Sequence, residues 1–97
     1  HGDIQHVGKM HMELVLEGGK LAAYLTDGDN NNISSAQAQV VGIVLNGREQ
    51  IKVSFKHTGE NRLEAEGNFE GAADLRAILT VSLPGEGTHR ARFQLKK

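Results

Sequence analysis

Histidine is the residue type in this chain best suited to do chemistry. There are five, at positions 1, 6, 11, 57 and 89. Neutral imidazole is the commonest protein ligand for copper and zinc. His1 offers two nitrogens, its amine and its ring. One further imidazole would complete a three-nitrogen, T-shaped site suited to Cu(II). His11 leads the candidates for that position, followed by His89, His6 and His57. Met10 and Met12 add thioethers, soft ligands that favour Cu(I). Those two share a phase with Leu14 and Leu16, so they read first as core residues. Each histidine taken alone also reads as an ordinary solvated side chain, and the metal reading rests on their convergence and on His1.

Other chemistries find no support. Without Cys, the chain has no disulfide, thiolate metal site or Cys nucleophile. Ser34, Ser35, Ser54 and Ser82 have no base placed beside them, and no phosphate-binding loop or nucleophile elbow is present. Asp27-x-Asp29-x-Asn31 begins like a calcium loop, but Asn32 stands where glycine is required and Ala38 where glutamate is. Catalytic residues are therefore not expected. The 11 basic and 12 acidic residues nearly balance, which gives no electrostatic reason to bind nucleic acid or an anionic membrane. No apolar run approaches the roughly 20 residues of a spanning helix.

The elements that position the histidines are strands. Apolar residues recur with period two, and 97 residues suffice for one domain, residues 1–97. Seven strands are predicted, at 8–17, 20–26, 39–45, 50–56, 62–67, 76–83 and 88–95. Gly18-Gly19, Asn46-Gly47 and Pro84-Gly85 mark turns. The run Val40-Val41-Gly42-Ile43-Val44-Leu45 reads as a buried central strand, and 68–75 as a connection with a helical turn. Residues 1–7 read as a mobile N-terminal arm. Short strands with frequent turn signals predict an all-β fold: an antiparallel, immunoglobulin-like β-sandwich of about seven strands, with a small closed β-barrel as the alternative.

Antiparallel connection then fixes polarity. All five histidines fall at one end of the sandwich, together with the Asp27–Asn32 loop. His57 continues the inward series Ile51, Val53, Phe55, and His89 begins the inward series Ala91, Phe93, Leu95.

Several stretches carry a family resemblance: His1-Gly2, His11-Met12-Glu13-Leu14-Val15, Tyr24-Leu25-Thr26-Asp27, Asn61-Arg62-Leu63-Glu64 and Ala91-Arg92-Phe93. Together they resemble small bacterial periplasmic proteins associated with heavy-metal and copper handling. Those occur alone or as the N-terminal region of adaptor subunits of metal-efflux pumps of the resistance-nodulation-division type. The resemblance implies a secreted β-sandwich and places His1 and His11 on the family's N-terminal patterns. Gly28 departs from it, standing where relatives often carry a loop histidine. A chain beginning at His1 fits removal of a signal peptide. The expected function is thus a periplasmic, non-enzymatic domain that binds copper ahead of zinc and buffers it or delivers it to an efflux adaptor or pump component. The alternative is a metal-free interaction module whose edge strands pair with another protein. Buried methionine sulfurs and scattered histidines would favour the module.

Overall fold

Period-two patterning is realised in eight antiparallel strands. They are β1 (Gly2–Val7), β2 (Met10–Glu17), β3 (Lys20–Thr26), β4 (Gln39–Asn46), β5 (Glu49–His57), β6 (Arg62–Ala65), β7 (Asp74–Leu83) and β8 (Gly87–Lys96). The computed structural model describes residues 2–17, 19–29, 31–34, 36–65, 67, 69, 74–85 and 87–96. The expected helical turn at Ala72 and Ala73 lies outside the described residues. Leu75, placed with it, belongs to β7.

The strands form one sheet in the order β1-β2-β3-β6-β5-β4-β7-β8. It curls until β1 and β8 meet, with Gln94 N donating to Asp3 Oδ2 at 2.8 Å across the seam. The fold is therefore all-β and nearly closed, and the barrel replaces the two-layer sandwich. β5 is the reason: it pairs with β4 on one side and β6 on the other, joining halves that a sandwich would keep as separate sheets.

The eighth strand is the segment expected as an arm. Gly8 adopts φ +62°, a left-handed conformation that glycine takes without Cβ strain. The Gly8-Lys9 turn folds β1 back on β2, with Val7 opposite Met10 and only 1% exposed. Burying that valine ties the N-terminal segment down.

The interior is filled by the inward phase of each strand. Met12, Leu14, Leu21, Leu25, Leu63, Leu79 and Val81 are fully buried, and Phe93 closes over them from β8. Phe69 joins this core from the β6–β7 connection, its amide donating to Gly19 O at 2.8 Å. One expectation fails in β4, where Val41 is 48% and Ile43 38% exposed. A single curled sheet has one buried face, so an apolar run on it must show alternate residues to solvent. Gly42 falls between them on the inner face. A Cβ there would strike the Ile78 carbonyl oxygen and sit 2.9 Å from Leu79 Cα, so glycine lets β4 and β7 approach.

Candidate functional site

One end of the barrel collects the starts of β2, β4, β6 and β8 and the ends of β1, β3, β5 and β7. The register fixes this: His11 lies opposite Thr26, Tyr24 opposite Arg62, His57 opposite Leu63, Gln39 opposite Ser82 and Val81 opposite His89. His6, His11, His57 and His89 all lie at this end, as the polarity reading expected. His1 lies outside the described residues, while Gly2 is registered against Val15, towards the other end of β2.

At that shared end the histidines divide between faces. The two-residue turn sets His6 directly opposite His11. Both alternate with buried neighbours, Val7 beside His6 and Met10 and Met12 beside His11, so both side chains stand on the outer face. Their ring centroids are 4.3 Å apart with planes inclined at 67°. A shallow cleft of about 360 Å³ opens over them, lined by Ile4, His6, His11, Glu13, Tyr24 and Thr26. His89 instead keeps the inward phase of β8, and its ring lies over Gly8, where a Cβ would come within 2.8 Å of Nε2. His57 is exposed at the end of β5. The methionine sulfurs are not in the cleft, since Met10 is 3% and Met12 0% exposed.

Carboxylates border the pair. Asp27 Oδ1 accepts from Asp29 N at 2.8 Å and Asn31 N at 2.9 Å. Those amides, Asn31 first, hold the Asp27 carboxyl below its ordinary range, and the charge of His11 adds a smaller push in the same direction. Glu13 is the next outward residue of β2 after His11. Among the described residues no three His, Cys, Asp or Glu side chains are placed to hold a single metal ion. The arrangement is a two-imidazole pair.

Beyond Glu13 the same outer face carries a polar network that sequence reasoning did not find. Arg62 donates to Glu17 Oε1 at 2.9 Å, Glu64 Oε2 at 2.9 Å, Thr58 Oγ1 at 2.8 Å and Tyr24 Oη at 3.2 Å. Tyr24 Oη donates to Glu17 Oε2 at 3.0 Å. Arg62 holds the Glu17 and Glu64 carboxyls below their usual range, and these partners push the guanidinium upward. Outward alternation in β3 and β6 was the available signal, but their adjacency is a non-consecutive pairing that periodicity does not reveal.

Two imidazoles on adjacent strands can chelate one ion, with nitrogens about 2.0–2.1 Å from a zinc-sized cation after side-chain rotation. Cross-strand Cβ atoms about 4.5–5.5 Å apart permit that rotation. The remaining coordination positions would face solvent. Compared with protein-family models, curated protein sequences and solved structures, the chain matches none.

Proposed function

We propose that this domain binds a copper ion, ahead of zinc, through the cross-strand pair His6 and His11, and yields it readily. The observation that supports this reading is the 4.3 Å approach of the two rings on the outer face. Two ligands on a solvated surface give an exchangeable site, which suits buffering and hand-over better than storage. Hand-over to a component of a metal-efflux system in the periplasm is the role proposed for it. Imidazole must be neutral to bind, so metal is released as the pH falls from 7 towards 5.

Ring-resolved NMR with substoichiometric Cu(II) tests the pair. His6 and His11 signals should respond together, before those of His57 and His89, and His11→Ala should abolish the response of His6. Independent, equally weak responses of all the rings would reject the reading.

The burial of both methionine sulfurs favours the second reading, a metal-free interaction module. Its contact would use a face of the barrel rather than an edge, because β1 and β8 cover one another at the seam. Unaltered ring spectra with copper in either oxidation state would support it.

A further inference from the structure

The outer face of β5-β4-β7-β8 carries three registered rows of side chains. Lys52, Ile43, Ile78 and Arg92 form the first, each directly opposite the next. Gln50, Leu45, Arg76 and Gln94 form the second, and Ser54, Val41, Thr80 and Arg90 the third. Four aliphatic side chains thus sit among four cations, and none of these twelve positions is acidic. Since the whole chain holds 12 acidic residues against 11 basic ones, this is a local segregation of charge. Glu13, Glu17 and Glu64 lie on the outer face of β2 and β6, and the outward acid of β7 is Asp74, at its start beyond the three rows.

Exposure and pairing mark the face further. Ile43, Ile78 and Val41 are three of the four large apolar side chains left exposed among the described residues. Neither Arg76 nor Arg92 has an ion-pair partner among the described residues, whereas Arg62 on the opposite face has two. A cleft of about 740 Å³ has Arg76 and Arg92 in its lining, with Leu45 and Ile78 beside them and Gln94 and Asp3 at its seam side. The Asp3 carboxylate is already engaged by the Gln94 amide and by Gln5 Nε2, at 2.8 and 3.1 Å.

We infer that this cleft binds a single anionic amphiphile, an aliphatic chain ending in a carboxylate or phosphate. Arg76 and Arg92 would hold the head group, since guanidinium recognises both anions through paired N–H donors. Ile78 and Leu45 would cover the chain. Size decides against a stable protein partner. Three rows about 6.6 Å apart on four strands about 4.8 Å apart cover on the order of 400 Å². That is about half of the roughly 800 Å² each partner contributes to a standard interface. The cleft volume falls in the range of small-molecule sites, roughly 300–1,000 Å³.

The test uses metal-free protein at pH 7.5 and decanoate below its micelle concentration, followed by amide NMR. Decanoate should shift the signals of Leu45, Arg76, Ile78 and Arg92 together. The double variant Arg76→Gln/Arg92→Gln, its fold checked by circular dichroism, should bind about tenfold more weakly or worse. Decanol and inorganic phosphate should each bind more weakly than decanoate, because each lacks half of the ligand. His6→Ala/His11→Ala should bind decanoate like the parent, which separates this site from the copper reading. Unchanged affinity in the arginine variant, shifts confined to other surfaces, phosphate binding as tightly as decanoate, or binding to anionic phosphatidylglycerol vesicles but not to monomeric decanoate would each overturn the inference.

Discussion

His6 and His11 face one another across the β1–β2 ladder, with ring centroids 4.3 Å apart, because a two-residue turn at Gly8-Lys9 allows only that register. A slip of one residue would move one imidazole to the buried face. The pair is therefore a product of hairpin geometry, and it needs no ordering of the loops around it.

The pair proposed as the site does not include the amine of His1. Gly2 lies four residues before His6, a distance along the strand of about 13 Å. Adding one glycine ahead of His1 is expected to leave the Cu(II) response of the His6 and His11 rings within about twofold, well under the 1.4 kcal/mol of a tenfold change. A tenfold loss in a copper titration of the extended chain would return the amine to the site.

The thioethers are expected to play no part in metal binding. Met12 is wholly buried between the inward residues of its neighbours. Met12→Leu conserves shape and hydrophobicity, so it should cost less than about 1.5 kcal/mol in urea unfolding. Cu(I) affinity, measured by competition with a chromophoric chelator, should not change. A marked loss of Cu(I) affinity would mean that the core opens to bind metal.

Acid should remove the stabilisation centred on Arg62. Glu17 and Glu64 are both held below the ordinary carboxylate range, chiefly by hydrogen bonds from Arg62. A carboxylate depressed on folding stabilises the fold above its unfolded pKa, about 4.3 for Glu, and loses that contribution as the pH falls through the folded value. Arg62→Met is thus expected to lower Tm by roughly 5 °C at pH 7 and low salt. The difference from the parent should shrink below about pH 4 and in high salt. Thermal melts at pH 7 and pH 3 read it directly, and an equal deficit at both would assign the loss to packing over Tyr24 instead.

Local patterning was legible because a strand's phase depends only on its own residues. The inward sets Ile51-Val53-Phe55 and Ala91-Phe93-Leu95 and the shared end of His6, His11, His57 and His89 could all be read that way. Closure could not. Whether β5 bridges β4 and β6, or leaves two sheets, is decided by pairings between distant segments. The same gap hid the outward faces of Val41 and Ile43, since an apolar run looks identical whether one or two layers cover it. The division of the histidines followed too: His6 and His11 meet only because Gly2–Val7 is a strand, and with Asp3 and Gln5 in phase with Val7 that segment lacks the apolar alternation that marks the others.

Phe69 was hidden for a related reason, and its role makes the sharpest stability prediction. It belongs to no strand, yet it is 0% exposed and its amide is tied to Gly19 O across the end of the barrel away from the histidines. Its ring also excludes a side chain at Gly67, where a Cβ would lie 2.8 Å from Phe69 Cε2. Removing a buried phenyl group costs about 3–5 kcal/mol through lost transfer energy and the cavity left behind. A 97-residue domain, with total stability on the order of 5–15 kcal/mol, should feel that as a large fall in the urea midpoint. Phe69→Leu keeps most of the volume and should recover much of it. Because the plug and the histidine pair occupy opposite ends, folded Phe69→Leu protein should give the parent's copper response at His6 and His11. A weakened response there would show that the barrel transmits strain along its whole length.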